Sequence, residues 1–433
     1  MDPISIALLG LLAMFILIAL HVPVGVSLAI TGIAIFTLLV GFDEAVSLAG
    51  TEFSATFSNM NYSIIPFFIL MGSLASTAGL STDLFRLANS FLGHRRGGLA
   101  LATVGGCAAF GSVCGSSLAT IATMTRVALP EMLSRNYKPS LATGCIAAGG
   151  ALGTLIPPSI IIVLYALLTN LDTRTLMLAA IFPGLLAVVM YTITIIITVR
   201  LHPDVAPQGE RTPWKKRGQI FIESWQVILL GTLVAGGIYG GIFTVTEAAA
   251  VGVVLAFLMC YWRGKLTRKN LREIMRETAS NTGMIYLMLI GASILSYFLS
   301  ISHMPETTVA WIQSMDLHPF MVVLALYLMY IVLGSIFETV AAMVITLPFV
   351  LPIITGLGYD PIWWGIMMLS VIATGMNTPP IGMNVFVLFG MTRDISLKTI
   401  FAGTFPFFIS DIIKLLILTL VPEITLWLPR MLT

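Results

Sequence analysis

The feature that most limits what this chain can fold into is how rarely charge interrupts its apolar runs. Of 433 residues, 58% are hydrophobic and only 10% charged, and the mean hydropathy is +0.99. A soluble domain carries roughly a quarter charged residues. So few polar side chains cannot coat a water-soluble globule of this size, and lipid is the solvent that fits. The apolar stretches are long and do not alternate, so the spanning element is the helix and not the barrel strand. Candidate spans of roughly 20 residues fall at about 4–21, 24–41, 61–80, 139–169, 175–200, 219–240, 244–262, 278–300, 361–391 and 400–428. The run from Ile4 to Leu20 lacks a basic leader and continues into more apolar sequence. It reads as a first membrane helix, not a cleaved signal.

Charge then orients the spans. Walking them alternately across a bilayer puts 19 of the 22 Lys and Arg residues on one side, from Arg86, Arg95 and Arg96 through the 263–276 cluster to Arg393 and Lys398. The opposite loops hold Asp43, Glu44, Glu52, Asp172, Glu306, Asp316 and Asp360, with Arg174 as the lone basic residue outside the C-terminal end. The basic side is expected to be cytoplasmic and the N-terminus periplasmic. This layout holds only if two further stretches, 97–133 and 319–357, each enter and leave on one side as re-entrant hairpins. Both have small residues at their centres, Gly111-Ser112-Val113-Cys114-Gly115-Ser116-Ser117 and Gly334-Ser335-Ile336-Phe337-Glu338-Thr339. Irregular backbone at membrane depth survives only where protein or water satisfies it.

The two halves echo each other at an offset of 219 to 223 residues: Gly111 with Gly334, Pro157-Pro158 with Pro379-Pro380, Gly72 with Gly291, Gly32 with Gly252. By the charge walk the second copy starts inside and the first outside, so the repeat is inverted. The expected domains are residues 1–200, a cytoplasmic linker at 201–218 and residues 219–433. Each repeat holds scaffold helices, a hairpin (97–133 and 319–357) and a broken helix (139–169 and 361–391), and the second ends in a terminal helix. Inverted repeats with interruptions in matching places point to a secondary transporter with its site at the repeat interface. Paired prolines withhold two backbone donors and clash with the preceding turn. Carbonyls freed there, with Ser, Thr or Asn oxygens, suit Na⁺, and the amides of the restarting half-helix suit a carboxylate or sulfonate.

Blander roles compete for several residues. Gly111/Gly115 and Gly149/Gly153 are also spacings that let helices pack closely. Glu247 in Thr244-Val245-Thr246-Glu247 has capping-box spacing. Asp411 and Lys414 share a helical face, so an internal ion pair is the default. At the hairpin tip, Glu338 is open to ion coordination, proton binding or hairpin closure. Trp311, Trp363, Trp364 and Trp427 fit interfacial anchoring. The five His residues are scattered, and the four Cys form no CxxC pair, so neither a metal cluster nor a disulfide framework is indicated. No basic run is interleaved with aromatics as nucleic-acid binding wants.

At its motifs the sequence resembles the large membrane subunit (DctM-like, M subunit) of tripartite ATP-independent periplasmic (TRAP) transporters. The segments that carry the likeness are Phe110-Gly-Ser-Val-Cys-Gly-Ser-Ser117 with Ala128-Leu-Pro-Glu-Met132, Gly153-Thr-Leu-Ile-Pro-Pro-Ser159, Gly241-Ile-Phe-Thr-Val-Thr-Glu-Ala-Ala-Ala250, Gly375-Met-Asn-Thr-Pro-Pro-Ile-Gly-Met-Asn384 and Trp427-Leu-Pro429. They span nearly the whole chain. Val245 stands where the family often has Pro, and Glu338 where it commonly has Asp. The resemblance implies an inverted-repeat elevator-type importer in the bacterial inner membrane, in which both hairpins and both broken helices move against a scaffold. It also implies two partners, a small (Q-type) membrane subunit and a periplasmic solute-binding protein. The expected activity is Na⁺ symport of small organic anions, with no organic cofactor; no GxxxxGK[ST] motif is present. The expected sodium set is Ser112, Ser116, Ser117, Gly153, Thr154, Pro157, Glu338, Thr339, Thr374, Gly375, Asn377 and Thr378. The expected substrate set is Gly115, Ser116, Ser159, Thr339, Asn377, Pro380 and Asn384. The alternative is a standalone organic-anion symporter or exchanger that needs no binding protein. An intramembrane protease is disfavoured, because neither Ser112 nor Cys114 has a recognisable base and Asp360 has no partner aspartate.

Overall fold

A computed structural model describes residues 3–392 and 394–432; Arg393, counted above on the basic side, lies outside them. The described residues are helical throughout, apart from turns and one isolated bridge between Arg96 and Gln208. The first half runs α1 (Pro3–Ala19), α2 (Val24–Leu39), α3 (Phe42–Ser58), α4 (Ile64–Ala78) and α5 (Leu80–Leu92), then the paired helices α6 (Gly98–Cys114) and α7 (Ser117–Ser134). A second pair, α8 (Pro139–Leu155) and α9 (Ile160–Thr169), leads into α10 (Thr173–Leu201). The second half runs α11 (Trp214–Glu223), α12 (Trp225–Tyr239), α13 (Val245–Trp262), α14 (Arg268–Ile301) and α15 (Met304–Ser314), then the pair α16 (Pro319–Ile336) and α17 (Thr339–Gly356). It closes with the pair α18 (Pro361–Gly375) and α19 (Met383–Met391), then α20 (Leu397–Leu420) and α21 (Glu423–Leu432).

Eight segments among these residues are long and apolar enough to cross a membrane, or nine if α11 and α12, bent by 58° at their junction, form one span. The chain is a polytopic all-α membrane protein. Several apolar helices fall short of that length, among them α6 and α18. Both stop where the sequence breaks: α6 at Gly115 and α18 ahead of Pro379-Pro380.

Segments between the long apolar runs are also helical. α3, α5 and α15 are amphipathic pieces of 17, 13 and 11 residues. A search for apolar windows passes over them because only one face is apolar: α5 buries Leu80, Phe85 and Ser90 and leaves Arg86 exposed. The terminal span also divides. Pro422 supplies no N–H, and Val421 before it is driven to φ −128° and ψ 73°, so α20 ends at Leu420 and α21 starts afresh.

The core is built around α8, where every residue from Leu141 to Leu155 is buried. Small residues make this possible by letting neighbouring backbones close in. Trp363 and Trp364 belong to this core as well. They are 1% and 0% exposed, and the Trp363 indole donates to the Leu418 carbonyl at 3.1 Å, so the interfacial role expected for them is wrong. Tyr327 stacks on Trp364 at 6.2 Å and Tyr359 on Trp363 at 5.0 Å; these aromatic neighbours, not lipid headgroups, hold the indoles. Trp311 and Trp427 remain half-exposed.

One charged side chain ties several of the outer helices together. Arg263, just past α13, reaches Asp83 of α5 at 2.5 Å, Gln226 of α12 at 2.5 Å and the Ala78 carbonyl at the end of α4 at 3.0 Å. The Arg263 and Asp83 side chains are 23% and 18% exposed, so solvent screens the pair weakly. Arg263→Gln is therefore expected to cost about 1.5–3 kcal/mol of stability. The exposed pair of Glu131, in the last turn of α7, and Arg135, just past it, is the control: Glu131→Gln is expected to cost less than about 1 kcal/mol. Thermal unfolding of the two purified variants checks the contrast; equal shifts would show that the Arg263 contacts do not hold these helices together.

Candidate functional site

The site grows from two interruptions in each half. α6 ends because Gly115 turns to φ 62°, a left-handed cap that glycine takes without a Cβ penalty, and its N–H closes on the Gly111 carbonyl at 2.7 Å. Ser116 is then extended and caps α7, its Oγ accepting from the Ala119 amide. This tip lies against the break between α8 and α9. A Cβ on Gly115 would stand 2.9 Å from the Ile160 nitrogen, and one on Gly111 would stand 2.5 Å from the Gly153 Cα. The break comes from Pro157 and Pro158, joined by a cis bond, which offer no N–H to the Gly153 and Thr154 carbonyls. Ser159 Oγ donates to the Thr154 carbonyl at 2.8 Å. The amides of Ile160, Ile161 and Ile162 precede the first bond of α9, from the Val163 amide to the Ser159 carbonyl, and so face the break without helical partners.

The second half repeats the construction with different residues. Gly334 and Gly375 meet where Gly111 and Gly153 do; a Cβ on Gly375 would lie 3.0 Å from the Gly334 Cα and 2.5 Å from the Ile331 carbonyl oxygen. Here Glu338, extended, precedes α17 with no side-chain cap bond. Its carboxylate has no hydrogen-bond partner among the described residues. The break at Pro379-Pro380, also cis, is stitched to the tip between α16 and α17 by the Gly382 amide, which donates to the Ser335 carbonyl at 2.8 Å. The Asn384 amide takes the Met376 carbonyl at 3.1 Å.

A buried polar chain joins the two constructions. Ser117 Oγ donates to Asn384 Oδ1 at 2.9 Å, and Asn384 Nδ2 donates to Asn377 Oδ1 at 3.1 Å. Thr404 of α20 reaches the Asn377 carbonyl at 3.4 Å. Beside this chain lies a cavity of about 570 Å³. Gly115, Ser116, Ile160, Ile161 and Glu338 line one wall; Ser73 and Ser76 of α4, with Asn270, Glu273, Glu277 and Asn281 of α14, line the other, and Arg126 of α7 faces it as well.

The sequence-derived residues divide accordingly. Gly115, Ser116 and Glu338 face the cavity. Ser117, Asn377 and Asn384 form the buried chain behind it. Gly153, Thr154, Pro157 and Ser159 are buried around the first break. Thr374 and Thr378 donate to carbonyls of their own segment, and Thr339 Oγ1 meets Met376 Sδ at 3.1 Å. Two residues stand apart. Ser112 donates to the Ala109 carbonyl and faces a small separate cavity with Met71, Pro158 and Val234, and Pro380 is exposed and does not line the main cavity.

The competing roles for other residues resolve too. Glu247 closes a capping box with Thr244, accepting from its amide at 2.8 Å. Lys414 bonds Asp411 at 2.6 Å, and the Tyr191 hydroxyl reaches both Asp411 oxygens, so this cluster ties α10 to α20. Sequence reasoning missed the α14 wall. Its signal was there, since Asn270, Glu273, Glu277 and Asn281 recur at the three- and four-residue spacing of one helical face.

Helix pairs broken in matching places, with polar oxygens and free amides beside a cavity inside an apolar bundle, define a membrane permease. Comparison with known proteins makes this specific. Residues 11–424 match the family described as "Tripartite ATP-independent periplasmic transporter, DctM component", and the chain belongs to that family. It is 33% identical to the C4-dicarboxylate TRAP transporter large permease protein DctM of Vibrio cholerae, over 99% of this chain and 98% of the relative. It is 28% identical to the sialic acid TRAP transporter large permease protein SiaM of the same organism, over 94% and 95%. It is 30% identical to the isethionate TRAP transporter permease protein DctMQ of Oleidesulfovibrio alaskensis, over 98% of this chain and 66% of the relative. These relatives are permeases, not enzymes. Among solved structures, the Alcanivorax borkumensis YdaH transporter shares the fold with a TM-score of 0.62 at 13% identity, over 89% of each chain.

Two outcomes test the geometry. Asn384→Ala strands the Ser117 hydroxyl and the Asn377 amide and is expected to destabilise by about 1–3 kcal/mol; a melting temperature equal to that of the unsubstituted protein would show the chain to be dispensable. Gly375→Ala drives a methyl into the Ile331 carbonyl and is expected to cost about 1–3 kcal/mol. Gly390→Ala, whose new methyl meets nothing within 4 Å, is expected to cost nothing in the same thermal assay.

Proposed function

We propose that this chain is the permease subunit of a TRAP-type secondary transporter that imports small organic anions, carboxylates or sulfonates, by Na⁺ symport. It sits in the bacterial inner membrane with its N-terminus periplasmic, receives substrate from a periplasmic solute-binding protein and works with a small membrane subunit. The observation that carries the reading is the buried Ser117–Asn384–Asn377 chain, which couples the first tip to the second break beside an open cavity. The names of the relatives support the substrate class: dicarboxylate, sialic acid and isethionate are all organic acids.

In this reading α6–α7 and α16–α17 are re-entrant hairpins. With the broken pairs α8–α9 and α18–α19 they form one mobile body, which slides against a scaffold that includes α2, α4, α13 and α14. Na⁺ is held by carbonyls at the breaks and by oxygens of the sodium set, which needs no cluster of acidic or imidazole ligands; none capable of holding a metal occurs among the described residues. The anion is held at Ser116 and the free amides at the start of α9, where partial positive charge gathers without a buried cation. Na⁺ bound near Asn377 would orient the Asn384 carboxamide, to which Asn377 and Ser117 both bond, so occupancy of one break is felt at the other tip. Arg126, Glu273 and Glu277 lie toward the basic side of the charge walk, so the cavity opens to the cytoplasm.

Reconstituted with its partners, the protein is expected to accumulate a cognate organic anion only under an inward Na⁺ gradient. Asn377→Ala is expected to raise the half-saturating Na⁺ concentration at least roughly tenfold, the equivalent of 1.4 kcal/mol. Undiminished uptake with no Na⁺ or other ion gradient would sink the coupling. Full uptake without the binding protein would favour a standalone symporter.

A further inference from the structure

Helix α11 carries a charge that has no counter-charge among the described residues. Arg217 is 5% exposed, and its Nε and Nη2 meet no acceptor among the described residues. Its guanidinium lies 4.7 Å from the Trp214 ring centroid and 5.7 Å from that of Phe91 on α5. Aromatic faces stabilise the flat sides of a guanidinium. Its N–H edge wants an oxyanion, which a planar fork grips in two places. No carboxylate among the described residues supplies one: Asp204 is held by Lys138, Glu223 accepts from Gln219 at the far end of α11, and Glu210 is exposed and makes no ion pair there. A buried charge left so is costly unless something outside the chain completes it.

The surroundings say what that is. Stacking on Trp214, the first residue of α11, brings the guanidinium to the start of this ten-residue helix, which has no side-chain cap. The amides of Trp214, Lys215 and Lys216 precede its first bond, from the Arg217 amide to the Pro213 carbonyl. Lys215 and Lys216 are exposed beside them. The helix turns outward Trp214, Phe221 and Ile222, at 69%, 51% and 70% exposure, and bends by 58° into α12, the following apolar helix. Basic residues at one end, apolar side chains outward and a sharp angle to the next span describe a helix lying in the headgroup layer.

The geometry points to a phosphate-binding site at the start of α11, made by Arg217 and the first helical amides, whose ligand is the headgroup phosphate of an anionic phospholipid. Lys215 and Lys216 add long-range attraction to the anionic leaflet. The site rests on the cytoplasmic orientation proposed above for the linker.

The test uses the full chain, purified in neutral detergent, with lipid adducts counted by native mass spectrometry and melting followed in parallel. Phosphatidylglycerol is expected to be retained and to raise the melting temperature, phosphatidylcholine to do neither, and millimolar inorganic phosphate to give the smaller share of the shift. Arg217→Gln is expected to weaken phosphatidylglycerol retention at least roughly tenfold, and Lys215→Gln/Lys216→Gln by less than about threefold. If Arg217→Gln is not monodisperse, Arg217→Lys, which keeps the charge but loses the fork, is expected to retain an intermediate amount. Equal effects of the two lipids, or unaltered retention by both Arg217 variants, would overturn the site. An equal shift from inorganic phosphate alone would reassign it to a free anion and overturn the lipid assignment. An Arg217→Gln defect seen only in complex with the small subunit would give the guanidinium to a protein carboxylate instead, again overturning it. None of these readouts involves uptake, so a failed Na⁺ assay leaves them standing.

Discussion

Within lipid, a backbone amide or carbonyl has no water to turn to, so each must find a partner inside the protein. The architecture around the site follows from that demand. Both proline pairs interrupt helices, and the groups left over find partners: within the breaks, Ser159 donates to the Thr154 carbonyl and the Asn384 backbone amide to the Met376 carbonyl, and the Gly382 amide reaches across to the Ser335 carbonyl at the facing tip. Glycines bring those segments close enough to do so. Where Gly111 passes Gly153 and Gly334 passes Gly375, no side chain separates the backbones, and the tips can cover the breaks.

The two halves meet this demand unequally. Pro157 and Pro158 are buried, and the start of α9 lines the cavity; Pro379 and Pro380 are exposed, and the residues around them are bound up in bonds to α16 and α20. The tips differ in kind as well, with glycine and serine at 115 and 116 and an unpartnered carboxylate at 338. A construction repeated in outline thus offers one end rich in amide donors and another carrying an unpartnered acidic side chain.

Much of this was legible in the sequence because it is written in residue types with few alternative uses. Two Pro-Pro pairs at one offset, glycines at helix crossings and a Thr-x-x-Glu box declare themselves without a structure. What stayed hidden depends on tertiary neighbours. Trp363 and Trp364 look interfacial by composition, yet Tyr327, Tyr359 and the Leu418 carbonyl claim them for the core. Ser112 sits in the same motif as Ser116 but still inside α6, before Gly115 turns the chain into the extended Ser116, and so faces Met71 and Val234. The polar wall of α14 escaped because its basic first turns and apolar later turns read as two regions, when they are one continuous helix. Arg263 has no motif at all; its importance comes from the three helices that happen to converge on it.

That continuity of α14 has a mechanical side. At 1.5 Å per residue its 34 residues extend about 51 Å, while the hydrocarbon layer is about 30 Å thick. Untilted, some four turns must project beyond the oil, and at a tilt of about 40° about two still do; the polar first turns of the helix carry Glu273 and Glu277. A rigid post of this length registers the thickness of its bilayer. In a thinner membrane it stands taller or leans further, carrying its acidic rung with it.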